Sequence, residues 1–128
     1  MSDVSTERPV KQPGPEHAIT IEPNPARVLV RAGGHVVADT TRALTLREHG
    51  HAPVQYVPLD DVERSLLQPS EHASYCPYKG DASYYSLDAE NGENAVWEYR
   101  RPYPAMAPIA GHVAFYADRV EVSEQPAG

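Results

Sequence analysis

Alternating apolar and polar positions run through most of this chain, and alternation is the signature of strands with one buried face. In "RVLVRAGGHVVADT" two such runs, Arg27 to Ala32 and His35 to Asp39, flank Gly33-Gly34. This predicts a tight hairpin, because a two-residue turn needs positive φ that glycine adopts freely. "TTRALTLRE" sets Leu44 and Leu46 against Arg42, Thr45 and Arg47 more loosely and reads as a third extended segment. The period breaks in "PLDDVERSLLQPS". There Asp60 as a cap, Glu63 as its capping-box partner, Val62, Leu66 and Leu67 on one face, and Pro69 as a stop predict a short helix. Ala82 to Leu87 and Asn94 to Tyr99 flank the turn signal Asn91-Gly92 and predict a second hairpin. "HVAFY" and "RVEVS" alternate around Ala117-Asp118 and predict a third, with Val113, Phe115, Val120 and Val122 facing one way. Three hairpins and one short helix predict a mainly β domain, a small sandwich or barrel.

Length allows one such domain in 128 residues. Residues 1–18 are polar, proline-bearing and aperiodic and read as a flexible leader, 19–123 as the domain, and 124–128 as a tail. A net charge of −7 with no basic run excludes a nucleic-acid footprint, which needs clustered Lys and Arg. No apolar stretch is long enough to span a membrane and the first residues lack a signal-peptide core, so the expectation is a cytoplasmic protein. One cysteine rules out an intramolecular disulfide and every paired-cysteine zinc motif. His49-Gly50-His51 offers two metal donors without a third at a predictable spacing, so neither metal nor cofactor is expected.

The chemistry-bearing residues gather in "SYCPYKGDASYY". Lys79 next to Cys76 favours a thiolate, and the turn at Gly80 frees backbone N–H groups for an anion. Equally, Cys76 can be a small buried hydrophobe and Lys79 a structural donor. Eight tyrosines against one phenylalanine point to hydroxyls that need partners, in a pocket or at a wet rim. Tyr84 and Tyr85 fall on opposite faces of one strand, and Trp97 and Tyr99 share a face of the next. Arg42 suits a carboxylate or phosphate, and Glu48 can orient it or act as a base, or the two can form a structural pair. His112, at a strand start, is a second candidate base.

In chain order, "VVADTTRALTLREHGHAPVQYVPLDDV", "CPYKGDASYYSL", "AVWEY" and "IAGHVAFYADRVEV" resemble the bacterial and fungal family catalogued as domain of unknown function 427. The likeness covers roughly Arg27 to Val122, and "CPYKG" ahead of an aromatic strand carries most of it. It implies a β-tent fold similar to that of methionine sulfoxide reductase B, with two small sheets meeting over a cleft. The zinc knuckles of the zinc-bearing relatives are absent, since Cys76 has no partner. A nucleotidyl-transfer label attached to the family finds no phosphate loop or paired-Asp magnesium motif in these residues.

The expected function is binding of a small anionic or aromatic metabolite between two sheets. Arg42 and Lys79 would supply charge, Tyr78, Gly80, Tyr85 and Trp97 the walls, and Glu48 or His112 any proton transfer. The alternatives are a non-catalytic interaction module, dimeric in one version, and a thiol redox protein acting through Cys76.

Overall fold

The computed structural model describes residues 8–126, which form two antiparallel sheets. The strands are β1 (Ile19–Asn24), β2 (Arg27–Ala32), β3 (His35–Thr40), β4 (Ala43–Glu48), β5 (Val54–Pro58), β6 (Gln68–Cys76), β7 (Gly80–Ser86), β8 (Val96–Glu98), β9 (His112–Phe115) and β10 (Glu121–Gln125). The larger sheet has the order β1-β4-β5-β9-β8-β7-β6, and the smaller β10-β2-β3. The mainly β expectation holds.

Alternation along the central strands feeds two cores. Val57, Val96, Val113 and Phe115 point from the large sheet onto Val28, Val30, Val37 and Ala38 of the small one. From the other face, Leu46, Tyr56, Ala82, Tyr84, Tyr99 and Ala114 meet Met106 and Ile109 of a 3-10 segment, Pro104–Ile109. That second cluster requires a curled sheet. In a flat one β4 and β7 would stand about 19 Å apart, four strand spacings, yet here the Glu48 and Lys79 side chains touch at 2.6 Å.

The Gly33-Gly34 hairpin forms as predicted, with φ of 58° and 81° at the two glycines. The second hairpin pairs Tyr84 with Trp97, although its connection spans Leu87 to Ala95 and not a tight Asn91-Gly92 turn. The third does not form: β9 pairs with β5 and β8, while β10 crosses to pair with β2. Alternation assigned Val113 and Phe115 to the inter-sheet core correctly and Val120 packs against it, but Val122, opposite Val30 on the edge strand β10, stays 39% exposed. Val113, Phe115 and Val120 reach that core without sharing a ladder, since Val120 precedes β10.

The predicted helix is also replaced. Leu59–Asp61 and Arg64–Leu66 are separate 3-10 turns, and neither start carries a side-chain cap, so Asp60 and Glu63 form no capping box. Between them Val62 bridges Ala38 and the Glu63 N–H donates to Val37 O at 2.8 Å. Capture of the backbone by the edge of β3, with Pro58 and Pro69 bracketing the segment, outweighs helix propensity. Of the expected leader, residues 1–7 lie outside the described residues. The rest is anchored: the Lys11 N–H donates to Pro77 O at 2.9 Å, and Gly14 and His17 bridge each other. At the other end β10 extends to Gln125, beyond the start expected for the tail. No described helix is long and apolar enough to cross a membrane.

Candidate functional site

Two polar constellations stand out against these cores. The first lies where the curled sheet closes. The turn between β6 and β7 pairs Cys76 with Gly80, whose φ of 113° suits glycine, and it leaves Lys79 facing inward with a side chain only 8% exposed. A buried ammonium requires a counter-charge. Glu48, at the end of β4, supplies it: Lys79 Nζ donates to Oε1 at 2.6 Å, and His17 Nε2 donates to Oε2 at 2.7 Å. Burial works to raise the Glu48 carboxyl, but the hydrogen bonds from Lys79 and His17 outweigh it and hold the group below its ordinary range. The His17 ring stacks on Tyr78 at 4.2 Å and 10°. Cys76 Sγ lies 3.8 Å from Lys79 Nζ, an ammonium already committed to Glu48.

The second constellation is aromatic. β5 pairs with β9 only through Val57 and Pro58, so the two strands fork before Val54, Gln55 and Tyr56. A cleft of about 550 Å³ opens at this fork and between the sheets, walled by Val28, Val54, Trp97, Phe115, Tyr116 and Val122. Its polar groups are few: His51, Gln55 and Glu124. Trp97 and Tyr116 lie with centroids 4.5 Å apart, and Trp97 Nε1 donates to the Tyr56 hydroxyl at 3.1 Å. Burial drives the Tyr56 phenol well above its ordinary value; the Trp97 hydrogen bond opposes this, and the Glu48 charge adds to it. Tyr99 is raised in the same way, by burial and then by Tyr56 and Cys76, so both hydroxyls stay protonated in this interior. Tyr116 is pushed up to about 12 by burial and then by Tyr84.

The residues expected to share one pocket are thus distributed. Glu48, Cys76, Tyr78, Lys79 and Gly80 gather at the closure, while Trp97 is in the cleft. Arg42 sits at the far end of β4, roughly 20 Å of strand from Glu48, where its guanidinium binds Asp61 at 3.1 Å. The Tyr85 hydroxyl donates to Glu98 Oε1 at 2.7 Å and accepts from Arg100, on the opposite face from Tyr84. His112 Nδ1 donates to the carbonyl of Ala110 at 2.9 Å, two residues back. Among the described residues no three His, Cys, Asp or Glu side chains group closely enough to hold a metal ion.

Two participants, His17 and Tyr56, escaped the sequence. His17 sits in an aperiodic polar stretch that carries no signal. Tyr56 lies in "VQYVP", whose alternation of Val54 and Tyr56 does mark a strand, while Tyr116 follows β9 in the period of Ala114, on the face that carries Trp97. No curated protein matches the chain. The family described as domain of unknown function 427 matches residues 20–126, essentially all of both sheets, and the chain belongs to that family.

Proposed function

We propose that this protein binds a small planar aromatic molecule, uncharged or cationic, in the cleft where β5 and β9 fork. The observation that carries the reading is the cleft itself. About 550 Å³ of mostly aliphatic and aromatic wall surrounds a Trp97–Tyr116 ring pair, with only three polar side chains to orient a guest. The cations that would have favoured an anion are engaged elsewhere, Lys79 by Glu48 and Arg42 by Asp61. At its edge stands the Glu124 carboxylate, one oxygen of which accepts from Asn24 at 2.9 Å, while Arg119, 5.4 Å over the Tyr116 ring, is committed to the Glu93 carbonyl. A larger groove of about 620 Å³, beside Gly33-Gly34, mixes Arg31 and Arg119 with Glu90, Asp118 and Glu121 and lacks aromatic walls.

Trp97 is the chain's one tryptophan, so its emission reports this cleft directly. Three single-ring probes differing in charge, benzylamine, benzyl alcohol and benzoate, should be titrated while emission and melting temperature are followed. The cation and the alcohol should give saturable responses at lower concentration than the anion. Val122→Phe, which places a ring in the cleft from a position 39% exposed, should weaken both at least fivefold. Tightest binding by benzoate, or no saturable response to any probe, sinks the reading. In the latter case a dimeric mass by native mass spectrometry would favour the interaction-module alternative.

A further inference from the structure

We propose that the Tyr78 ring face and Glu48 Oε2 form a binding site for a planar nitrogen heterocycle with an N–H donor, and that His17 occupies it here as a tethered stand-in. The inference is independent of the aromatic cleft, which lies at the β5/β9 fork. The receptor half of the site is built without His17. Lys79 and Glu48, with side chains 8% and 12% exposed, hold each other, and the β6–β7 turn positions Tyr78 beside them. Lys79 satisfies only Oε1. The second carboxylate oxygen faces the Tyr78 ring region and needs a donor, because an unpaired acceptor at this depth is costly.

His17 supplies the two contacts that such a heterocycle would make. Its ring is parallel to Tyr78 within 10° at 4.2 Å, and its Nε2 donates to Oε2 at 2.7 Å. Stacking together with a charge-assisted hydrogen bond is a common way for flat nitrogen rings to be held. The His49 ring closes one side edge-on at 6.3 Å. A carboxylate or phosphate ligand is disfavoured at this place by Glu48 itself.

The tether is lightly attached. Apart from His17, the described segment ahead of β1 is held by the Arg8 pair with Asp81, the Tyr75 hydroxyl on Pro9 O, the Lys11 N–H on Pro77 O with its ammonium 6.0 Å from the Tyr78 ring, and the His49 N–H on Ala18 O at 2.9 Å. Arg8 also lies over the Tyr75 ring at 4.1 Å, and Val10, its large aliphatic residue, is 54% exposed. A segment held by a few polar contacts opens at low cost. As an intramolecular occupant, His17 has an effective concentration of order millimolar, so it acts as an autoinhibitory plug that a tighter ligand displaces.

Imidazole is the probe. In the full-length His17→Gly chain, imidazole should raise the melting temperature by about 3 °C or more in a saturable way. It should leave wild type unchanged, and the midpoint in His17→Gly/Tyr78→Leu should be at least tenfold higher. Equal rises in all three chains, or no rise in a folded His17→Gly, overturn the proposal. If glycine prevents folding, His17→Ala, which likewise offers Glu48 no N–H, is read by the same two outcomes. Failure of both variants to fold with imidazole present also overturns it, since His17 would then be part of the fold and not a removable occupant. The cleft probes separate this result from the proposed function: Val122→Phe should not affect the imidazole response, and Tyr78→Leu should not affect that of benzylamine.

Discussion

The two ends of β4 carry the same kind of contact in opposite settings. At one end Glu48 meets Lys79 with side chains 12% and 8% exposed; at the other Arg42 meets Asp61 with 61% and 24%. Both are cation–carboxylate pairs within hydrogen-bond reach. The difference is what surrounds them. Glu48 and Lys79 join β4 to the β6–β7 turn and close a curled sheet, and Lys79 has little access to water if Glu48 is lost. Arg42 and Asp61 staple a loop to a strand end, and solvent can replace either partner. Proximity alone is therefore a poor guide to worth, and burial decides it.

The sharpest way to break this comparison is Lys79→Met. It leaves the half-buried Glu48 carboxylate with His17 as its one hydrogen-bond partner, and it should cost about 3 kcal/mol, read as a lower urea midpoint with an unchanged slope. Adding Glu48→Leu should recover most of that loss, because the penalty is the orphaned charge and not the missing bond. A double variant as unstable as the single one would show that the pair itself carries the stability. Next in size, Tyr56→Phe strips the acceptor from the Trp97 N–H. It should cost about 1–3 kcal/mol, with a shift in Trp97 emission that the Lys79 variant lacks.

Acid tests the closure end more gently. In the fold Glu48 titrates below its ordinary 4.5. Its contribution is therefore whole above that value and is lost as the pH falls through the lower folded one. The melting-temperature gap between wild type and Glu48→Gln should narrow as the pH is lowered from 6 toward 3. A gap that stays constant would refute the shift. Last, Arg42→Ala should lower the melting temperature least of these variants, and less still in high salt. A larger loss would mean that the exposed pair matters as the buried one does.

Much of the fold was legible because its signals are local. Gly33-Gly34 declares its turn, and alternation placed Tyr84 against Tyr85 and Val113 with Phe115 on the right faces. What failed was non-local. The sequence of β9 and β10 contains nothing to say that the chain changes sheets between them, and the capping signals at Asp60 and Glu63 competed with an edge of β3 that only the fold provides. For the site, the oddness of Lys79 in an aromatic turn was visible. Its partner, 31 residues earlier in the chain, was not, nor was a third member in a leader with no periodicity. The single pocket expected for Arg42, Lys79 and Trp97 instead separates into three places, because β4 is long enough to hold Arg42 and Glu48 apart.

Buried Lys79 also gives the chain an unusual chemical labelling pattern. Only two lysines exist, and the other, Lys11, is exposed on the segment that crosses the β6–β7 turn. An acylating reagent should modify Lys11 at once, whereas Lys79 must wait for the curled sheet to part. Under such a reagent the chain becomes a clock of its own opening, with the second lysine acyl group as the hand.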